Sequence, residues 1–379
     1  MKKSYLFGMF ALVAMTMVGC SNDEVVENFS QDNAIEFGTY VGRDAQSRGE
    51  ILTTEGLKEQ GFGVYAYYTG QSTWAEYSKN GEIKPNFMNN TKVTYDADLE
   101  EWTYSPIKYW PNNVNDKVSF FAYAPYNKDY KMGKTAFEYE VPNDVKKHID
   151  LTWTNSNNID MTKQGINEKV VFKFQHALAK IGLTYQAATD ELASKNNALD
   201  ENTTIVINRV ILSKGDVEYS EADKSYKAEG VFYTKGTMGL DNTEDAADWS
   251  EESGEQYFTL TTDNFANNFL NTENSLTPTK LNKDDSFLMI IPQNFSQTGF
   301  NVFIEYVVTT KGRNEAGEED CSVITNRINT EDFVKLNFES GKQYTLKLIL
   351  GMTSVKVAAE VVDWENGDEE PVDLPKNEE

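Results

Sequence analysis

Short segments in which apolar and polar residues alternate recur along most of this chain, whereas helical patterns are few. Examples are GFGVYAYYTG, VVFKFQHALAKIGLTYQ and GKQYTLKLIL, which are rich in β-branched and aromatic residues and are separated by polar turns. Alternation with a period of two residues is typical of strands that bury one face. Many short strands of this kind predict an all-β protein built from β-sandwiches.

A length of 379 residues favours two domains over one. The main change in composition is the acidic stretch GLDNTEDAADWSEESGEQ at 239–256, which fits either a linker or a long surface loop. We expect two tandem sandwich domains, over 49–238 and over 239–379, the second ending in an acidic tail. The 39% hydrophobic content, with 12% aromatic residues, is enough to fill two such cores.

The start of the chain has the parts of a secretory signal. Two lysines give a positive start, a mostly apolar segment runs over 6–18, and a glycine precedes Cys20. The apolar segment is shorter than the roughly 20 residues that a membrane-spanning helix needs. The sequence MVGC resembles the signal of bacterial lipoproteins, so we expect a signal peptide over 1–19 and lipidation at Cys20. The alternative is an ordinary secretory peptide with an incidental cysteine.

The two cysteines limit how the chain can be cross-linked. Export would permit disulfides, but if Cys20 is acylated only Cys321 remains, and no intramolecular bridge can form. Cys321 lies in a predicted strand, and we expect it to be a buried small apolar residue and not a nucleophile.

The residues after Cys20 predict a tether followed by a strand. Residues 21–34 are polar and acidic without a period, which is typical of a flexible tether. In AIEFGTYVG, at 34–42, Ile35, Phe37 and Val41 fall on one face together with a threonine. A polar loop over 44–50 follows this strand.

The charge of the chain excludes some classes of partner. The net charge is −25, and removal of 1–19 leaves 33 basic against 60 acidic residues, a net charge of −27. Such a surface repels the phosphates of nucleic acids and anionic lipids. We therefore expect no nucleic-acid partner.

Patterns typical of catalysis or metal binding are absent from the sequence. The two histidines, His148 and His176, lie outside any metalloprotease motif, and there is no nucleophile elbow or phosphate-binding loop. We expect His176 to be structural, at a strand end. The acids between Asp241 and Asp248, which include Glu244 and Asp245, lack the spacing of a calcium loop and predict a solvated loop. The sequence thus predicts neither an enzyme nor a cofactor.

Several blocks, in order, resemble the fimbrillin-like family, the lipoprotein precursors of type V pili. They are GFGVYAYYTG, YSPIKYWPNNVNDKVSFFAYAP, VVFKFQHALAKIGL, FLMIIPQ and the closing GKQYTLKLIL with VVDW, within 35–364. The resemblance implies two transthyretin-like sandwich domains. It also implies a cell-surface fimbrial subunit or tip adhesin that is first an outer-membrane lipoprotein.

The resemblance also implies how such a subunit matures. An arginine-specific protease cuts in the loop after the first strand, here between Arg48 and Gly49, with Arg43 as an alternative. Ile35, Phe37 and Val41 would then belong to a removable plug. Its loss would open a groove for a strand from another pilus subunit.

The C-terminal tail departs from this pattern. After Trp364 come 15 residues, with two prolines and only Val372 and Leu374 as large apolar residues, which predicts a poor donor strand. Either 354–362 serves as donor, or the subunit sits at the tip, or it does not polymerise by itself. The alternative function is a stand-alone surface lipoprotein that binds a host glycan or host protein.

Overall fold

The computed structural model describes residues 33–41, 54–79, 83–132, 136–154, 158–163, 169–187, 199–241, 247–314 and 316–364. Strands dominate these ranges, so the all-β prediction is confirmed. In chain order the first elements are β1 (Phe37–Val41), α1 (Thr54–Gln60), β2 (Phe62–Gly70), α2 (Trp74–Tyr77), β3 (Met88–Asp96), β4 (Glu101–Tyr104), β5 (Lys117–Ala124), β6 (Ala136–Glu140), β7 (Thr152–Thr154), β8 (Val170–His176), β9 (Ala179–Ala187) and β10 (Thr203–Ser213). They are followed by β11 (Glu218–Ser220), β12 (Ser225–Lys227), β13 (Phe232–Gly239), β14 (Asp248–Gln256), β15 (Phe258–Thr261), β16 (Phe269–Leu270), β17 (Thr279–Lys280), β18 (Leu288–Ile290), β19 (Gln293–Asn294), β20 (Asn301–Arg313), β21 (Glu319–Asn329), β22 (Asn337–Phe338), β23 (Lys342–Leu350) and β24 (Val355–Asp363).

The N-terminal part of the chain forms one seven-stranded sheet in the order β1-β8-β7-β5-β2-β3-β4. Neighbours are antiparallel except β1 and β8, which run parallel. Alternate side chains of these strands meet in a cluster that we call the N-terminal core. Its buried members are Ile35, Phe37, Leu57, Phe62, Val64, Ala66, Met88, Val93, Tyr104, Trp110, Val118, Phe120, Ala122, Ala124, Val170, Phe172 and Phe174.

Two further sheets form the C-terminal part. One has the order β15-β10-β20-β21 with β16 also on β10, and the other has the order β17-β9-β23-β24 with β18 also on β9. Within the second sheet β9 and β23 run parallel, from Lys180 opposite Gln343 to Ala187 opposite Leu350. Buried residues of both sheets belong to one large cluster, so the two sheets share a core.

A three-stranded sheet, β14-β13-β6, connects the two halves of the fold. Phe137 and Tyr139 of β6 belong to the large cluster. Tyr65 and Phe121 belong to it as well, because their side chains project from the face of the seven-stranded sheet that is opposite to the N-terminal core. Sheet membership changes between β8 and β9, at residues 177–178. The expected domain division at 238/239 lies within the β13–β14 hairpin, near the end of β13.

Two features differ from the sequence-based expectations. Cys321 was predicted to be buried, but it is exposed, because that half of β21 extends past the sandwich core beside the end of β20. The acidic stretch at 239–256 contains β14, which pairs with β13 and is exposed along nearly its whole length. Glu244 and Asp245 lie outside the described residues.

Among the described residues, none of the helices is long and apolar enough to span a membrane. In the same ranges, no three His, Cys, Asp or Glu side chains are grouped as metal ligands.

Candidate functional site

The main chain of residues 33–41 is held from two sides. On one side β1 pairs with β8, from Phe37 opposite Val170 to Val41 opposite Phe174, and the Val170 N–H donates to the Glu36 carbonyl at 2.8 Å. Parallel pairing of this kind requires strands that are remote in sequence. The first strand is therefore an integral part of the seven-stranded sheet.

The other side is closed by residues 108–110, which follow β4. The Ile35 N–H donates to the Lys108 carbonyl at 2.8 Å, and the Trp110 N–H donates to the Asn33 carbonyl at 2.9 Å. An antiparallel bridge between Ala34 and Tyr109 lies between these two bonds. The segment thus fills a slot between β8 and the 108–110 strip.

Ile35 and Phe37 fill the slot with apolar side chains. Each is only 1% exposed, because alternation along the strand places both on the face that points into the N-terminal core. The Phe37 ring lies among four aromatic rings, with centroid distances of 5.1 Å to Tyr104, 5.3 Å to Phe172, 6.1 Å to Phe120 and 6.3 Å to Phe62. Removing the segment would leave an apolar groove lined by these rings.

Tyr104 also fixes the main chain at the bottom of the slot. Its hydroxyl donates to the Ile35 carbonyl at 2.7 Å. Burial raises the pKa of Tyr104 to about 12, so the hydroxyl keeps its proton at neutral pH. The donor is then available to any strand that presents a carbonyl at the same depth.

The solvent-facing side of the segment is polar. The Glu36 side chain is 54% exposed and lies 3.6 Å from the Lys169 ammonium, which is 3.8 Å from Glu101. Such exposed pairs contribute little to stability. The binding energy of the segment therefore comes from Ile35, Phe37 and the main-chain hydrogen bonds.

The other predicted site residues lie mostly outside the described ranges. Cys20, Arg48 and Gly49 are among them, and of Val41 only the main chain is described. The structure brings Ile35 and Phe37 together in one groove. Sequence reasoning missed the second wall at 108–110, although the block YSPIKYWPNN that contains it was singled out.

The two histidines have structural contacts. His176 ends β8, as predicted; its Nδ1 lies 2.9 Å from Asp150, and its ring stacks on Trp364 at a centroid distance of 3.8 Å. His148 Nε2 lies 2.8 Å from the Pro142 carbonyl, and Nδ1 accepts the Met289 N–H at 3.0 Å. Both rings therefore tie separate parts of the chain together.

The groove thus holds an extended segment of the chain through main-chain hydrogen bonds and two buried apolar side chains. Among proteins of known sequence, the chain is 27% identical over 406 residues to "Fimbrium subunit Fim1C" of Phocaeicola vulgatus, covering 97% of this chain and 98% of that protein. Among solved structures, a fimbrial protein from Bacteroides vulgatus matches with a TM-score of 0.66 and 22% identity, covering 88% of this chain and 100% of that chain, which indicates the same fold.

A model of the family described as fimbrillin-like matches residues 52–364. This match starts after β1, so it rests on the body of the fold and not on the strand in the slot. Because it covers most of the chain, this protein belongs to the fimbrillin-like family.

Proposed function

We propose that this protein is a subunit of a cell-surface fimbrium, and that its first strand is a removable plug. Family membership supports the first part. The observation that carries the second is the complete burial of Ile35 and Phe37 in a groove formed by residues distant in sequence. The role is structural or adhesive, without an enzymatic activity.

The proposed route begins at the outer membrane. Acyl chains on Cys20 would hold the exported precursor there, since several chains anchor a protein where one binds only marginally. An arginine-specific protease would then cut between Arg48 and Gly49, in the segment between β1 and α1. Once cut, residues 20–48 would remain attached by non-covalent contacts alone.

Exchange of the plug for a strand of another subunit would build the fimbrium. Each buried apolar side chain contributes roughly 1.5–3 kcal/mol, and each main-chain hydrogen bond about 1 kcal/mol. An incoming strand with apolar residues two positions apart would recover both contributions. If the subunit sits at the tip, a host glycan or host protein would be its ligand.

Limited digestion with trypsin should cut at Arg48 before it cuts the described sheets, because the sequence predicts a polar loop over 44–50 and exposed loops are cleaved first. Cleaved protein should lose thermal stability when the plug dissociates, and a peptide spanning 33–42 should restore it. N-terminal sequencing and thermal denaturation measure the two effects. The matched variants are Arg48→Gln, which should block the cut, and Arg43→Gln, which should not.

Two outcomes would count against the plug. One is cleaved protein that stays as stable as the intact precursor after the released peptide has been removed. The other is equal rescue by the wild-type peptide and by a peptide with Phe37→Ser. Rapid fibre growth by the cleaved protein alone would instead argue against a tip position.

Metabolic labelling with palmitate tests the anchor separately. Cys20→Ala should abolish labelling and release the protein from the membrane fraction, because the thiol is the attachment point. Cys321→Ala is the matched control and should leave labelling unchanged. Label that persists in the Cys20 variant would overturn the anchor and leave the plug untouched.

A further inference from the structure

The hairpin of β20 and β21 extends past the core of the C-terminal sandwich. Residues 311–313 of β20 and 319–325 of β21 are all exposed, and we call them the hairpin arm. Val323 is 62% exposed and Ile324 is 41% exposed, on opposite faces of the arm, because neighbouring side chains of a strand alternate. Among the described residues β21 pairs with β20 alone, so its other edge is open there.

The sequence of β21, EDCSVITNRIN, lacks the features that usually protect a strand edge from a further strand. Lysine, proline and β-bulges are the common protections. β21 contains neither lysine nor proline, and its pairing with β20 continues without a register shift over all 11 of its residues. The edge is therefore long and regular, and it can accept another strand.

The hydrogen bonds of β20 show which main-chain groups of β21 face the open edge. At one end of β20 the Val302 carbonyl accepts the Thr330 N–H at 3.2 Å, and at the other end the Lys311 N–H donates to the Asn202 carbonyl at 2.9 Å. Because bonding alternates along an antiparallel strand, even-numbered residues of β20 bond to β21 and odd-numbered ones bond on the β10 side. The odd-numbered residues within 319–327 therefore direct their N–H and C=O groups to the open edge.

We propose that this edge binds the same edge of a second copy of the chain, antiparallel, about a twofold axis at Val323. Val323 then lies opposite the partner's Val323. Thr325 lies opposite the partner's Cys321, and Arg327 lies opposite the partner's Glu319. All these positions are odd-numbered, so the outward groups of both strands would form about ten main-chain hydrogen bonds.

This register also alternates the charges across four strands. Within one copy Arg313 pairs with Glu319, and Glu305 pairs with Arg327, whose Nε lies 2.6 Å from the Glu305 carboxylate. With two copies joined, one row of side chains would read Arg313, Glu319, the partner's Arg327 and the partner's Glu305. Opposite charges on neighbouring strands stabilise a sheet, so each charge in this row has a favourable neighbour.

The neighbouring registers are less favourable. If the axis lies one residue earlier, Asp320 faces the partner's Ile324, and if it lies one residue later, Asp320 faces the partner's Ile328. Both arrangements press a carboxylate against an apolar side chain, which costs free energy. With the axis at Val323, Asp320 instead faces the partner's Asn326, whose amide can donate a hydrogen bond to it.

The contact is distinct from the proposed strand exchange. A twofold axis pairs the same surface of both copies, so the contact is closed and cannot extend into a fibre by itself. The hairpin arm belongs to the C-terminal sandwich, whereas β1 belongs to the seven-stranded sheet. Two subunits could therefore associate side by side while the plug stays in place.

Cysteine trapping tests the register in the uncleaved mature chain carrying Cys20→Ala, which retains Cys321. Thr325→Cys should give a disulfide-linked dimer in air, because residue 325 lies opposite the partner's Cys321 at a Cα distance of about 5.5 Å. Val323→Cys combined with Cys321→Ser should also give a linked dimer, since residue 323 lies on the axis. Non-reducing electrophoresis measures both.

Two single-cysteine chains are the matched controls for trapping. They are the chain with Cys321 alone and the Thr325→Cys chain with Cys321→Ser. In each, the cysteine lies roughly 13 Å from its copy across the axis, so both chains should stay unlinked. Equal cross-linking of the controls and of the paired variant would overturn the proposed register.

Sedimentation equilibrium measures the contact without oxidation, at physiological ionic strength, which screens the repulsion between two acidic chains. The chain with Cys20→Ala should show a reversible monomer–dimer equilibrium. Val323→Lys should raise its dissociation constant by about tenfold or more, because two ammonium groups would meet on the axis. Leu99→Lys is the matched control and should leave the constant unchanged, since Leu99 is 63% exposed in the turn between β3 and β4. A chain that stays monomeric up to its solubility limit, or a dimer that Val323→Lys leaves intact, would overturn the proposal.

Discussion

Replacing Phe37 with alanine is expected to lower the free energy of unfolding of the precursor by about 3–5 kcal/mol. The ring is 1% exposed and lies among Phe62, Tyr104, Phe120 and Phe172, so its removal leaves a cavity between rigid aromatic walls. Urea denaturation of the uncleaved chain measures the loss. Because the same side chain belongs to the proposed plug, the variant should also release that strand faster after cleavage.

Glu36→Ala is the matched control one position away. Its side chain points to solvent and pairs only with an exposed lysine, so a change within about 1 kcal/mol is expected. If Phe37→Ala proved as mild as this control, burial of the first strand could not be what holds it in the slot. The plug would then depend on main-chain bonds alone.

Acidification from pH 6.5 to pH 4 is expected to cost the fold about 3 kcal/mol through His148 alone. Burial lowers the pKa of His148 from 6.5 to about 4 in the native state. Above pH 6.5 the ring is neutral in both folded and unfolded chains, and the contribution to stability is complete. As the pH falls from 6.5 to 4, His148 binds a proton in the unfolded chain but stays neutral in the native chain, so stability is lost across this window.

Burial is the main reason why the native ring stays neutral, and the two hydrogen bonds of the ring act in opposite directions. Nδ1 accepts the Met289 N–H, so a proton on Nδ1 would face another donor, whereas the bond to the Pro142 carbonyl favours the protonated ring. His148→Gln removes the titration and leaves all carboxylates in place. The difference in unfolding free energy between wild type and variant should therefore shrink as the pH falls from 7 to 4. If the unfolding free energies of the two proteins instead changed in parallel with pH, His148 would not titrate in this way.

The local pattern was enough to predict the first strand and its buried face. Ile35 and Phe37 alternate with polar neighbours, and this period alone places them on one side of a strand. The partner of that strand could not be predicted, because β8 lies about 130 residues further on and pairs in parallel. The Tyr104 hydroxyl and the 108–110 strip were missed for the same reason, since only the closed sheet brings them to Ile35.

The errors came from strands that lie outside the cores. Composition suggested a linker or loop at 239–256, yet β14 forms there, because its main chain bonds to β13 while its acidic side chains remain in water. Cys321 has the neighbours of a buried strand, but β21 runs on past the core there and only pairs with β20. In both cases the strand is maintained by hydrogen bonds and not by burial. The pattern of side chains in a sequence indicates burial alone, so it could not predict these strands correctly.

The parallel pairing of β9 with β23 has a mechanical consequence for a protein that works in a fibre. The chain enters β9 at Ala179 from the seven-stranded sheet and leaves β23 at Leu350, at the opposite end of their shared ladder. Tension applied between the N-terminal half and the turn at 351–354 would slide these strands past one another and load all their hydrogen bonds at once. Tension applied through Trp364 would instead peel β24 from β23 one pair at a time. The strand through which tension reaches the C-terminal sheet would therefore set the force that the subunit withstands.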